Sequence, residues 1–264
     1  MATQVTTAAD WAPYVPVSLF TRLISFARSA WVMVMVDNPV FWKLFRGKNE
    51  LDDVEGPFYI VGAPQRQFGD GKMVLASKEI MQRDGPFLFI LDVKDVKGNP
   101  IPNAVLDCWQ ADSTGSYYFA SWTLRGKVTT DAQGHVEILS VRPADYGAPL
   151  LGQRKSHMHV IATGVHGKHV PITTQVYICP GNNPQNLDGD FASYARPVPY
   201  KNMATSWSIS AANNGELVQN LPELPSDDVE TVERVKWWDE TLKKHGIERE
   251  IAAVARHELK LSLL

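Results

Sequence analysis

From about residue 50 the chain is cut into short extended runs by glycine, asparagine and aspartate turns, and this punctuation restricts the fold more than any other feature. Residues 86–96 (PFLFILDVKDV), 104–110 (AVLDCWQ), 135–141 (HVEILSV) and 171–178 (PITTQVYI) are rich in the β-branched and aromatic residues that suit strands. Lys97-Gly98-Asn99-Pro100 and Asp131-Ala132-Gln133-Gly134 supply the turn chemistry between runs. The spacing predicts a mainly β protein whose core is an antiparallel β-sandwich. One further run, residues 154–162 (RKSHMHVIA), alternates: His157, His159 and Ile161 face one way, Met158, Val160 and Ala162 the other. Its apolar face can pack while two imidazoles, two residues apart, converge on one point.

Both flanks are read as helical. Leu19, Leu23, Phe26, Ala30 and Val34 recur at near-helical spacing within residues 17–36, which end at Asp37-Asn38-Pro39. Residues 40–45 form a second short helical piece, and Arg46-Gly47-Lys48-Asn49 is a polar break. Arg22 and Arg28 fall inside the apolar run, where a charge at mid-bilayer costs about 2.5–3.5 kcal/mol. No transmembrane segment is therefore expected, but an amphipathic helix packed on another helix or subunit. Residues 180–225, with many Pro, Asn and Gly, read as long surface loops. Ser226 is the expected N-cap of a helix carrying Val229, Val232, Val235, Trp238 and Leu242, which Gly246 stops; a last helix is expected over residues 248–257. The expected division is an N-terminal helical segment (1–49), a β-sandwich core (50–225) and a C-terminal helical tail (226–264).

A net charge of −3 without a basic run offers no track for nucleic acid. Cys108 and Cys179, each in an apolar segment, read as buried free thiols in a reducing compartment rather than a disulfide framework. The first basic residue is Arg22, after Asp10, so no secretory leader is expected and the location is read as cytoplasmic.

Asp112-Ser113-Thr114-Gly115-Ser116-Tyr117 runs off one strand into a glycine-containing loop, and Arg142-Pro143-Ala144-Asp145-Tyr146-Gly147 does the same after the next hairpin. Alone, each tyrosine reads as a surface packing residue. With the His-x-His strand they could furnish two phenolates and two neutral imidazoles. A phenol of pKa ~10 needs a strongly Lewis-acidic ion to displace its proton, and Fe(III) suits that mixture. Zn(II) more often recruits thiolate or carboxylate. A cupin-type His-x-His site needs a carboxylate soon after the second histidine, but His159 is followed by Val-Ile-Ala-Thr-Gly-Val. A non-catalytic sandwich that binds an aromatic would explain the strands and tryptophans, but not the coincidence of tyrosines, Arg154 and histidines.

The chain also resembles a known family, the intradiol ring-cleavage dioxygenases, over about residues 54–178. The resemblance is carried in order by Glu55-Gly56-Pro57-Phe58-Tyr59, by Leu106-Asp107-Cys108 with Gly115-Ser116-Tyr117, and by Leu124-Arg125-Gly126. Thr130-Asp131-Ala132-Gln133-Gly134, Arg142-Pro143-Ala144-Asp145-Tyr146-Gly147, Arg154-Lys155-Ser156-His157-Met158-His159 and Thr173-Thr174-Gln175 complete it. It implies one Fe(III) per chain, with Tyr117 and His157 as equatorial and Tyr146 and His159 as axial ligands. Catechol would bind as Tyr146 leaves the metal and accepts a proton, and O2 would open the ring between its hydroxyls to a muconate-type dicarboxylate. Arg154, partnered by Gln175, would stabilise charge on the ring; Val54, Pro57, Phe58 and Phe191 would line the pocket. A hydroxyquinol 1,2-dioxygenase giving maleylacetate is the alternative, and a homodimer is expected. The chain departs from the catechol branch in a shorter N-terminal helical region, a shorter Tyr146-to-His157 connection, and a C-terminal tail with no counterpart in the family core.

Overall fold

The extended runs fold as twelve strands in a computed structural model that describes residues 11–148, 152–181, 187, 190, 199–209 and 221–264. They are β1 (Gln67–Gly69), β2 (Lys72–Val74), β3 (Pro86–Asp95), β4 (Val105–Gln110), β5 (Arg125–Thr129) and β6 (His135–Val141). β7 (Tyr146–Ala148), β8 (Gly152–Arg154), β9 (His157–Thr163), β10 (Ile172–Pro180), β11 (Met203–Ser208) and β12 (Ala253–Leu261) follow. Ten form one sheet in the order β1-β2-β6-β3-β12-β11-β10-β9-β4-β5, and β7 pairs with β8 apart from it.

One core joins Phe89 and Leu91 of β3 and Ile138 of β6 to Leu106 of β4 and Met158, Val160 and Ala162 of β9. Strands from opposite halves of the order thus share an interior, so the sheet curls on itself like a sandwich. Its two edges meet where the Arg66 N–H donates to the Lys127 carbonyl at 2.8 Å, beside β1 and β5.

The sheet is mixed, not antiparallel as expected: β2 runs parallel to β6, β3 to β12, and β10 to β11. Hairpin turns determine the direction of adjacent strands only, and each parallel pair joins segments distant in sequence. The expected last helix is the clearest departure. Residues 253–261 are β12, lying between β3 and β11, with Ala253 opposite Phe87 and Leu261 opposite Asp95. Alanines favour a helix in isolation, but here Ala253 and Ala255 fill the main core while Val254 packs on the opposite face. The gap between two strands outweighs local propensity.

Among the described residues, four α-helices flank the sheet: α1 (Leu19–Trp31), α2 (Trp42–Phe45), α3 (Lys78–Asp84) and α4 (Val229–Lys244). α4 covers the outer face, where Val235, Trp238 and Leu242 meet Leu88, Ile90 and Leu139. Its N-cap is Asp228, which accepts the Thr231 N–H at 3.1 Å, two residues beyond the expected Ser226. Buried Glu137 docks it, accepting Trp238 Nε1 at 2.6 Å and pairing with Arg234 and Lys72.

His135, the first residue after the Asp131–Gly134 turn, is buried, with Nδ1 2.7 Å from Asp92 and Nε2 3.4 Å from Glu137. Burial pulls its pKa down, but the two carboxylates outweigh burial and hold it above the usual value. The sign is that of a raised group: its stabilisation is complete below the unfolded value of about 6.5 and is lost as pH rises through the folded one. His135→Gln should flatten the loss of Tm from about pH 6.5 upward. An unchanged profile would mean that the histidine is folded in its neutral form.

α1 starts at Ser18, which accepts the Thr21 N–H at 3.0 Å. Among the described residues its apolar stripe packs on no other helix, which leaves only the subunit arm of the expectation: Leu19, Leu23 and Phe26 are exposed, as is Val34 beyond its end, and Ser25 and Ser29 are buried. Leu19–Val36 is long and apolar enough to cross a membrane by length and composition, but Arg28 ties it to Glu55 of the body. Both cysteines are buried thiols outside any disulfide.

Candidate active site

β9 sets the site. Met158, Val160 and Ala162 enter the core, which turns His157 and His159 to the opposite face. Register brings Trp109 of β4 and Gln175 of β10 beside His159, and Tyr177 beside His157. The Trp109 indole stacks on the His159 ring at 4.7 Å and 6°, fixing its plane. His157 Nδ1 lies against the Lys155 carbonyl, which leaves Nε2 for a ligand. The two Nε2 atoms are 3.1 Å apart. Two ligands each about 2.1 Å from one ion, at right angles, stand roughly 3 Å apart.

Tyr117 arrives on a loop and Tyr146 at the start of β7, each placed by short polar residues. Asp112 accepts the Thr114 and Ser116 N–H groups at 2.9 and 3.0 Å and the Tyr118 hydroxyl at 2.8 Å. Tyr118 is thereby engaged and Tyr117 faces the histidines. Gly115 has φ +84°, and a Cβ there would lie 2.8 Å from the Tyr146 Cβ, so only glycine lets the two loops cross. Asp145 accepts the Ser156 N–H at 2.7 Å and pairs with Lys155 at 2.9 Å, tying the Tyr146 loop to the start of β9.

The four rings stand together. Tyr117 is 5.3 Å from Tyr146 and 6.2 Å from His159 between centroids; Tyr146 is 5.6 Å from His157, and His157 4.6 Å from His159. The Tyr117 hydroxyl is buried and makes no hydrogen bond of normal geometry among the described residues, although the Tyr146 hydroxyl is near enough to influence it. Such an orphan costs about 1–3 kcal/mol and calls for an explanation. Burial pushes the Tyr117 phenol well up; burial also raises Tyr146, against the pull of Arg154. Burial, then His157 and Arg154, hold His159 well below its usual range. Neutral imidazole suits a metal, and only a cation can bring these phenols to ionise. The donor set fits a hard, Lewis-acidic ion.

Arg154 stands beside this cluster, and burial alone would lower its pKa, but Tyr177, Tyr146 and Asp190 raise it. Its Nε donates to Asp190 at 3.0 Å, and Nη2 donates to Gln175 Oε1 and to Tyr177 Oη, the latter at 3.0 Å. Gln175 also donates to the Val54 carbonyl at 2.6 Å. Arg154 and Gln175 are therefore together, as read. Phe58 lies 4.4 Å from Tyr117 and 6.1 Å from Tyr146. Val54 touches the network through its carbonyl while its side chain packs with Trp42; Pro57 is exposed. Phe191 lies outside the described residues.

Three residues escaped the sequence reading. Tyr177 sits two positions beyond Gln175 on the same strand face, a signal that was legible. Asp190 falls in a stretch without periodicity, yet is buried and holds both Arg154 and the Lys155 N–H. Arg125, buried with its pKa drawn down to about 10, donates to the Phe58 and Tyr118 carbonyls at 2.6 and 3.1 Å.

Fold and donor set define a class: a mainly β protein whose curled sheet presents two imidazoles to two loop phenols beside a buried arginine. A family profile described as Dioxygenase matches residues 54–198, more than half of the 264 residues. The chain belongs to this family, the intradiol ring-cleavage dioxygenases. It is 29% identical over 188 residues to a catechol 1,2-dioxygenase of Pseudomonas sp. (strain EST1001), covering 64% of this chain and 55% of that one. It is likewise 29% identical over 144 residues to a chlorocatechol 1,2-dioxygenase of Rhodococcus opacus, covering 47% and 54%. The chain thus spans about half the length of these curated relatives. The crystal structure of 3-chlorocatechol 1,2-dioxygenase from Rhodococcus opacus 1CP shares the fold, with a TM-score of 0.60 at 20% identity over 92% of this chain and 86% of that one.

Proposed function

We propose that the chain is a non-haem Fe(III) dioxygenase that opens a catechol between its two hydroxyls to a muconate-type dicarboxylate. The observation that carries this reading is the pair of Nε2 atoms 3.1 Å apart beside the orphaned Tyr117 hydroxyl. Tyr117, Tyr146, His157 and His159 would hold the iron, which when bound acidifies both tyrosines and the catechol and makes the ring reactive toward O2.

The remaining work belongs to side chains. Tyr146, whose phenol burial makes a strong base once ionised, takes a substrate proton on Oη. Arg154, aimed by Asp190, Gln175 and Tyr177, meets negative charge growing on the ring, where a guanidinium shielded from water acts far more strongly than in bulk. Phe58 offers a flat apolar face to the ring beside Tyr117.

Iron-reconstituted protein should be wine-red from tyrosinate-to-iron charge transfer, and the colour should shift when catechol is added under argon. Oxygen uptake should be fastest with catechol when catechol, hydroxyquinol and protocatechuate are compared and their products identified. A colourless iron-loaded protein would sink the proposal; fastest turnover of hydroxyquinol to maleylacetate would reassign the substrate.

A further inference from the structure

The wall segment that carries Phe58 is fastened by side chains from the first 49 residues, none of which belongs to the ring cluster. Residues 55–61 lie in no strand, and their amides are met from outside. The Glu55 and Gly56 N–H groups donate to one Asp37 oxygen at 2.8 and 2.9 Å, and the Val61 N–H donates to Ser25 Oγ at 3.1 Å. The Glu55 carboxylate is buried and accepts both Nη groups of Arg28, one of them at 3.0 Å. Arg46 reaches Glu55 and Asp37 at 3.5 Å each, and the Arg28 guanidinium lies 4.5 Å over the Tyr59 ring. Two acids and two arginines thus close a network between α1, the turn that follows it and the wall segment.

The middle of that segment is held by Arg125 at the Phe58 carbonyl. The anchored stretch includes Gly56, where a Cβ would lie 3.8 Å from His159, and Phe58, against Tyr117. α1 sends Ser25, Arg28 and Ser29 inward while Leu19, Phe20 and Phe26 face outward. What the helix offers the body is therefore hydrogen bonding and charge rather than core packing. A bidentate arginine–carboxylate pair fixes direction as well as distance, which an irregular segment beside a reacting ring requires.

We propose that Arg28 and Asp37 are positioning residues: they clamp the Glu55-Gly56 backbone so that Phe58 stands against Tyr117 as one wall of the aromatic pocket. This rests on reading the ring cluster as a catechol site. Neither residue touches the substrate; both act through Glu55 and Gly56.

The test uses Arg28→Met in the full iron-loaded chain, since methionine keeps an apolar stem over Tyr59 and removes the fork. Amide exchange across residues 55–61 should accelerate about tenfold or more while β3 and β9 keep their protection. KM for catechol, and its Kd under argon read from the visible band, should rise about tenfold with kcat within about threefold. The resting band and iron content should stay as in the wild type. Arg28→Lys, which keeps the charge and one hydrogen bond, should recover part of the KM loss. Accelerated exchange with KM and Kd unchanged would overturn the proposal, because the network would then be structural only. Unchanged exchange in residues 55–61 would overturn it equally. If Arg28→Met does not fold, Asp37→Ala, which removes the oxygen that both amides share, carries the same measurements. A wild type that binds catechol without cleaving it would sink the proposed activity alone, and exchange and anaerobic Kd would still decide the clamp. A wild type with no affinity for catechol would overturn both.

Discussion

Tyr117→Phe should yield a protein that folds at least as well as the wild type without metal, yet takes up no iron colour and cleaves no ring. The two halves of this result come from the same atom. The Tyr117 hydroxyl is buried without a hydrogen bond of normal geometry among the described residues, so deleting it removes a desolvation cost and only a weak interaction with Tyr146. The Tm of the metal-free variant should therefore hold or rise, by the equivalent of about 1 kcal/mol. As a ligand, the same oxygen cannot be replaced by a phenyl ring that leaves only His157, His159 and Tyr146. Loss of a mere outer partner of a metal ligand costs ~10–100-fold in affinity or activity, and loss of the ligand should exceed that. Tyr118→Phe is the matched control. Its hydroxyl donates to Asp112, so it should lose about 1 kcal/mol of stability and keep its colour. Full iron occupancy and turnover in Tyr117→Phe would remove Tyr117 from the donor set.

The parts of the molecule that could be read from sequence share a cause. His157 and His159 stand out because a two-residue period against Met158, Val160 and Ala162 can be satisfied in only one way. Gly115 and Asp112 mark the Tyr117 loop because positive φ and a carboxylate collecting backbone N–H groups are local properties. What could not be read depends on distant partners. Residues 248–257 look helical until the gap between β3 and β11 that β12 fills is known, and the three parallel pairings join segments that no turn connects. Asp190 carries no pattern of its own; only the arrival of Arg154 and the Lys155 amide gives it a role. α1 misleads in the opposite sense. Its amphipathicity is plain, but periodicity cannot say which face meets the body, and here the serines and Arg28 do.

Arg154 is where fold and chemistry are hardest to separate, and its substitutions should separate them. Arg154→Ala removes the cation from Asp190, which is fully buried, and breaking such a pair costs about 3–5 kcal/mol. Loss of activity in that variant would therefore mix unfolding with chemistry. Arg154→Lys keeps the charge but cannot serve Asp190, Gln175 and Tyr177 at once, since an ammonium lacks the planar fork that spans them. The lysine variant should fold, bind iron and show the resting colour, because Arg154 is no ligand. If the guanidinium meets charge that grows only as the ring reacts, the loss should fall on kcat, by about 10²–10³-fold, with KM for catechol little changed. A surface ion pair in the same place would be worth about 0–1 kcal/mol and would move neither constant appreciably. Turnover of Arg154→Lys within about twofold of wild type would therefore assign Arg154 to holding Asp190 and the loop around it, and not to the reaction. A rise in KM with kcat intact would instead make it a binding residue for the bound diol. The split between the constants decides among the three roles, because only the first couples the arginine to a charge absent from the ground state.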